Sequence, residues 1–243
     1  MPHFLINTKN IRDNIITVED KNLYRHIIKV MRSKKGQRIM FLDENEMQYE
    51  TVLTEINASS FSAEIKASYR SKRKLPLNLY IAQSVLNSDA QISSIQKATE
   101  LGVKGIIPLY TDNCSVKESV IAAKIDKWQK IASESVKQCE RADIPAVCEL
   151  SYLKDVINQY DRVIVFAEKY TDKNFFEYIK ENPISKEQSI LVIIGPEGGF
   201  SETEFSFFKE KNIPLITLGN LIYRADTALT AALTTVINGV LYG

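Results

Sequence analysis

Three cysteines and two histidines are all that this 243-residue chain offers to a disulfide framework or a metal site. Cys114, Cys139 and Cys148 are odd in number and form no C-x-x-C pair, which argues against a disulfide scaffold and a zinc finger alike. His3 and His26 stand 23 positions apart with no carboxylate at a ligand spacing, so an H-E-x-x-H site is excluded and no metal is expected. No apolar run approaches the ~20 residues of a membrane helix. The longest, Ile190–Ile194, is the length of one buried strand. The start, Met1 to Asn7, lacks a basic segment leading into an apolar one, so a signal peptide is not expected and the chain reads as cytoplasmic, with no membrane partner. The composition is that of a folded chain: 44% hydrophobic, 25% charged, net charge +1.

That near-zero charge is unevenly spread. Residues 1–74 hold 14 Lys and Arg against 9 Asp and Glu, a net of +5, and the remainder carries −4. Arg25, Lys29, Arg32, Lys34, Lys35 and Arg38 cluster, and Arg70, Lys72, Arg73 and Lys74 form a second group. On a helix, Arg25, Lys29 and Arg32 at i, i+4, i+7 share one face. Leu23, Ile27, Val30 and Met31 on the other are expected to pack on a core. Such a row fits either a solvated face or a phosphate-binding surface.

Periodicity divides the chain. Short alternating runs (Phe4–Ile6, Ile15–Val18, Arg38–Leu42, Tyr49–Ile56, Phe61–Ser68) with one helix over 19–32 predict a small β-barrel. Ser71–Lys74 is a polar linker, and the boundary is placed between residues 1–72 and 73–243. Beyond it, strands (77–83, 103–110, 162–167, 190–194, 214–218) alternate with helices (90–101, 118–140, 173–180, 202–211, 226–241). This predicts an α/β domain with a parallel sheet. Trp128, on the apolar face of the long 118–140 helix, reads as a core or a dimer contact.

Two loops carry the chemistry. The first is Ile194-Gly195-Pro196-Glu197-Gly198-Gly199-Phe200-Ser201, leaving a buried strand and entering a helix. Ser201 and Glu204 have capping-box spacing, and Phe200 and Phe205 that of a hydrophobic staple. The glycines fit either a tight turn or a backbone that approaches a ligand, and a branched side chain at Gly198 is expected to fill the pocket. The loop is neither G-x-G-x-x-G nor a Walker loop. The second is Leu218-Gly219-Asn220-Leu221-Ile222-Tyr223-Arg224-Ala225-Asp226-Thr227, with Asp226 or Thr227 as the expected N-cap. Both loops leave strands of one parallel sheet and are expected at the same edge. Arg224 fits either a ligand contact or a surface ion pair.

These motifs resemble the RsmE family of 16S ribosomal RNA uridine-N3 methyltransferases, in the SPOUT superfamily. The likeness runs along the whole chain: Ile194–Glu204, Leu218–Thr227, the K-x-x-E-L-G-V of Lys97–Val103, the helix with Trp128, Lys130, Ile131, Glu134, Gln138 and Arg141, and His26, Val30 and Arg32. Departures are Leu221 for an Arg, Tyr223 for a Leu, Asp226 for a Glu, Asn87 for a basic residue, Lys137 for a Glu, and a missing Arg near Asn113.

The resemblance implies an N-terminal PUA-like RNA-binding β-barrel and a C-terminal SPOUT α/β domain with a deep trefoil knot. It also implies a homodimer, S-adenosylmethionine (SAM) as cofactor and 16S rRNA, within the small ribosomal subunit, as substrate. Cofactor contacts then fall on Phe166, Ala167 and Glu168; on Ile194, Gly195, Pro196, Glu197, Gly198 and Gly199; and on Leu218, Gly219, Leu221, Ile222, Tyr223 and Thr227. RNA contacts fall on Arg25, His26, Lys29, Arg32, Lys34 and Lys35. For the reaction itself Arg224 is the candidate that stabilises charge on the target base. Asp226 is the candidate base or orienter, with helix capping as its other reading. Action on another RNA or base, and a binding-only descendant, are the alternative functions.

Overall fold

The computed structural model describes residues 3–171 and 173–243; Met1 and Pro2, part of the stretch read for a leader, lie outside them. The chain forms two compact units, Met1–Lys74 with Val136–Asp143, and Leu75–Ser135 with Ile144–Gly243.

The first unit is built on β1 (His3–Leu5), β2 (Ile11–Arg12), β3 (Ile15–Val18), β4 (Arg38–Leu42), β5 (Met47–Ile56) and β6 (Phe61–Arg70). They form one sheet in the order β1-β4-β5-β6-β3-β2. β1 joins β4 in parallel and every other pairing is antiparallel. Alternation places Phe61, Ala63 and Ile65 of β6 inside, where Phe61 stacks near Phe41 and Tyr24.

The helix expected over 19–32 is the main correction here. Asp20 caps α1 (Lys21–Tyr24), its side chain accepting from Leu23 N at 2.8 Å. From Arg25 to Val30 the ladder widens into a π-helix, with Met31 N bonded to His26 O at 2.9 Å. An i→i+5 ladder holds more residues per turn than an α-helix, so the i, i+4, i+7 face dissolves. Ile27 stays buried and Leu23 half-buried, but Val30 is 65% and Met31 37% exposed rather than packed on the core. Arg32 then ends the segment in the left-handed region, φ +54°.

In the second unit the strands are β7 (Asn78–Ser84), β8 (Gly105–Tyr110), β9 (Ala146–Val147), β10 (Ser151–Tyr152), β11 (Arg162–Phe166), β12 (Lys173–Asn174), β13 (Ser189–Ile194) and β14 (Leu215–Thr217). The sheet runs β10-β8-β7-β13-β11-β14-β12, with β9 also on β8, and all pairings are parallel. The run Ile190–Ile194 shows why. Ile190, Val192 and Ile194 enter one apolar cluster, and Leu191 and Ile193 enter another on the opposite face. A strand covered on both faces needs no polar alternation.

The helices are α2 (Ser88–Glu100), α3 (Glu118–Ala122), α4 (Ile125–Cys139), α5 (Leu153–Val156), α6 (Phe175–Glu181), α7 (Glu202–Glu210) and α8 (Ala225–Tyr242). The single helix expected over 118–140 is two. Lys124 N bonds to Ile121 O at 2.8 Å, closing a tight turn, and a new ladder starts from Lys124 O to Trp128 N. Trp128 is buried in the core. The helix expected from Lys173 starts at Phe175, because Asn174 and Glu177 form a capping box and Lys173–Asn174 pairs with β14.

Candidate active site

β13, β11 and β14 are neighbours in the sheet, so the loops leaving their C-terminal ends converge. Ligands in open parallel sheets bind at that edge. Here the three loops wall a cleft of about 360 Å³. Phe166, Ala167 and Glu168 come from the β11 loop. Ile194, Gly195, Pro196, Glu197, Gly198 and Gly199 come from the β13 loop, and Leu218, Gly219, Leu221, Ile222 and Tyr223 from the β14 loop. Arg224 and Asp226 also line it, and Leu86, just before α2, and Ala90, in its first turn, close it. Thr227 is the expected cofactor residue outside the lining: it lies exposed on the first turn of α8.

The β13 loop is fixed from behind. Ser201 accepts from Glu204 N at 3.1 Å, and Glu204 accepts in return from Ser201 N at 2.8 Å. The same carboxylate accepts from Asp112 N at 3.1 Å, and burial pushes its pKa up. Phe200 meets Phe205 and Phe208 edge-to-face at 6.0 and 5.0 Å. Two side-chain amides hold the loop carbonyls. Gln83 Nε2 donates to Gly195 O at 3.0 Å and, longer, to Ile194 O at 3.4 Å. Asn113 Nδ2 donates to Gly199 O at 3.0 Å and Gly198 O at 3.4 Å. A trans peptide points its N–H opposite to the preceding carbonyl, so these ties also aim the following amides. Gly199 sits at φ +70° and Gly219 at φ +110°, conformations that a Cβ strains. At Gly198 a Cβ would instead press on Asn113 Cβ at 3.3 Å, so a branched residue there first displaces Asn113 rather than filling the cleft.

The expected cap of the last helix is corrected. Arg224 occupies the N-cap, without a side-chain cap bond, and Asp226 and Thr227 already lie in the first turn. The Asp226 carboxylate accepts from Lys97 Nζ of α2 at 3.1 Å and from Ser93 Oγ at 3.5 Å. The Lys97 hydrogen bond, with the Lys97 and Arg224 charges, holds its pKa below the ordinary Asp value. Such a carboxylate is a poor proton acceptor and a good anchor. The Arg224 side chain is 84% exposed at the rim, its Nε 3.9 Å from Asp226 Oδ1. Leu221 and Ile222 beside it are 71% and 82% exposed.

The basic residues assigned to RNA lie in the first unit, and Arg25, His26, Lys29, Arg32, Lys34 and Lys35 are all exposed. Lys29 Nζ lies 5.9 Å from the Tyr24 ring centroid, and the His26 ring meets Phe4 edge-on at 5.6 Å. Sequence reasoning missed Gln83, and gave Lys97 and Asn113 no role in the site. A signal existed for Gln83, a lone amide ending the apolar run of β7. Among the described residues no group of three or more His, Cys, Asp or Glu could hold a metal ion, and no helix is long and apolar enough to cross a membrane.

Comparison with known proteins places this geometry. Residues 73–237 match the family described as an RNA methyltransferase domain, and residues 18–66 match the RNA methyltransferase PUA domain. Ribosomal RNA small subunit methyltransferase E of Mesomycoplasma hyopneumoniae (strain 232) is 31% identical over 239 residues, 96% of this chain and 98% of the relative. The Bacillus subtilis (strain 168) protein of the same name is 28% identical over 219 residues, 87% and 85% of the two chains. A solved structure of ribosomal RNA small subunit methyltransferase E from Neisseria gonorrhoeae, bound to S-adenosyl methionine, superposes with a TM-score of 0.81 at 25% identity, covering 96% of this chain and 95% of that one. The chain therefore carries a PUA-like domain followed by an α/β RNA methyltransferase domain, and it belongs to the ribosomal RNA small subunit methyltransferase E family.

Proposed function

We propose that this protein transfers the methyl group of SAM to N3 of a specific uridine in 16S rRNA of the small ribosomal subunit. The reading makes residues 1–72 the RNA-holding part and 73–243 the catalytic part, in a cytoplasmic homodimer whose SPOUT domain carries a deep trefoil knot. One observation carries it: three loops at the C-terminal edge of the sheet wall one cleft, with glycine-loop carbonyls tied away by Gln83 and Asn113. The knot is supported by a strand order in which β13 lies between β7 and β11. The dimer is supported by large apolar side chains left in water at Leu221, Ile222 and Tyr242.

The residues present fit SAM. The cleft volume is that of a small-ligand pocket, about 300–1,000 Å³. Phe166, Leu86 and Leu218 offer apolar wall to an adenine, and the Glu168 carboxylate offers acceptors to ribose hydroxyls. SAM, when bound, supplies an activated methyl group with its own leaving group, so the protein's work is alignment and charge. Arg224 stabilises negative charge developing on uracil O2 and O4 as the N3 proton passes to solvent water. Asp226, held ionised by Lys97, orients that guanidinium and does not take the proton. N3 lies on the pairing edge, so the uridine must be unpaired when it reaches the cleft.

Leu221 gives a second reading its footing. It places an exposed apolar side chain at the rim where the resembling family has a cation, so another RNA or base is the alternative target. One assay separates the two: labelled SAM with small subunits from a strain lacking the gene, then digestion and nucleoside mass spectrometry. Label in N3-methyluridine of 16S rRNA is expected. Label in any other nucleoside or RNA would overturn the uridine assignment in favour of the alternative. No label beside an active control enzyme would overturn the activity.

A further inference from the structure

We infer that Val30 and Met31, standing among Arg25, Lys29, Arg32, Lys34 and Lys35, form a contact surface for unpaired RNA bases. The inference rests on the RNA-substrate reading above and adds the structural class of the RNA that the first unit holds.

The π-helical segment is what creates the surface. An α-helical continuation would carry Val30 and Met31 towards the core side shared with Ile27, whereas the observed ladder leaves them in water. π turns in proteins concentrate at functional sites. Two neighbouring apolar side chains in water among five exposed cations are a poor solvated face. They suit a partner with both negative charge and apolar surface, and a nucleic acid strand has both. The surface is also held in shape. Arg32 is fixed in the left-handed region, Gly36 N bonds to Leu53 O at 2.8 Å, and Leu53 N bonds to Gln37 O at 3.0 Å, tying the following loop to β5. Preorganisation of this kind lowers the ordering cost of binding.

The charge pattern alone would fit any RNA backbone. The apolar pair decides between structural classes. An A-form duplex offers side chains its phosphates and 2′-hydroxyls, with the base faces stacked away. An unpaired strand exposes base faces without prior unstacking, so Val30 and Met31 gain contact area only there. A substrate methylated on its pairing edge is unpaired at its target, which agrees.

The test uses the full chain and two labelled probes, a short single-stranded RNA and a duplex of the same length, titrated at several salt concentrations. Val30→Asn with Met31→Gln changes exposed residues, and its fold is checked by melting and by SAM binding. It is expected to weaken single-strand binding about tenfold, the scale of losing two partly covered apolar contacts, with duplex binding and salt slope unchanged. Lys29→Gln with Arg32→Gln is expected to weaken both probes and flatten the slope. Wild-type single-strand affinity in the first variant, or equal losses on both probes, would overturn the inference. A wild-type chain that binds neither probe would also overturn it and leave this face to a protein partner. Methyl transfer by the same preparations is read separately, so loss of the surface and loss of the activity remain distinguishable.

Discussion

Replacing Gln83 with Leu tests whether the glycine loop is held from behind. The side chain is 1% exposed near the end of β7, and Leu keeps most of its volume while removing the amide. Three carbonyl oxygens then lose a donor: Gly195 and Ser84 at 3.0 Å and Ile194 at 3.4 Å. An orphaned buried acceptor costs about 1–3 kcal/mol, and for carbonyls that can turn partly towards water the lower part of that range, about 1–2 kcal/mol each, applies, so the two shorter bonds set the scale at roughly 2–4 kcal/mol. One contribution runs the other way. Gln83 Oε1 is itself buried without a hydrogen-bond partner, so its removal returns about 1 kcal/mol. A net loss of about 1–3 kcal/mol remains. Carried by the whole fold, it lowers Tm by about 2–4 °C per kcal/mol for a chain of this size. Carried by the loop, which can turn its carbonyls towards water in the cleft, it weakens SAM binding by about five- to a hundredfold. Calorimetric titration with SAM beside thermal melting reads both. A lower Tm with unchanged SAM affinity would confine Gln83 to supporting the sheet. No change in either would refute the hydrogen-bond reasoning itself. Gln83→Glu adds a sign. A buried carboxyl facing carbonyl oxygens has its pKa raised above about 4.3, so this variant loses stability and affinity as pH rises above that value.

Arg224→Ala is expected to lower turnover by about a hundredfold or more, the scale of losing one donor to developing charge, with SAM affinity nearly unchanged; equal losses in both would remove Arg224 from the chemistry. Asp226 has a folded-state pKa below its unfolded value of about 3.9, so its stabilisation is complete above that pH and is lost as pH falls through the folded value. Asp226→Asn should therefore flatten the acid limb of the Tm profile, and parallel profiles would show that the Lys97 contact adds nothing. Gly199→Ala places a Cβ 3.7 Å from Glu168 Oε1, an ordinary contact, so backbone strain at φ +70° sets its cost. That strain is about 1–2 kcal/mol, and roughly tenfold weaker SAM binding is expected; unchanged affinity would show that the loop adapts freely.

What was legible in the sequence was local. The strand Ile190–Ile194, the capping box of Ser201 and Glu204, and the staple of Phe200 and Phe205 are all read from residues a few positions apart, and all are present. What escaped depends on chain brought from far away or on ladder geometry. Gln83 grips a loop 112 positions on, and the charge state of Asp226 is set by Lys97, 129 positions earlier. Asp226 alone reads as a base or a cap; only the packing of α2 beside α8 makes it an anchored anion. The direction of a Cβ at Gly198 is likewise a matter of which neighbour lies there. The two helical errors are of another kind. Nothing in Ala123–Lys124 is a Gly or Pro, and nothing in Arg25–Val30 marks an i→i+5 ladder, yet each changes which side chains face water. A hydrophobic pattern assumes the helical period before it assigns the faces. Where the period changes, apolar residues placed inside by the pattern come out, and Val30 and Met31 are such residues. An unexpected exposure at a change of helical period is thus a physical signal in its own right, because the sequence keeps apolar side chains where the local backbone does not bury them.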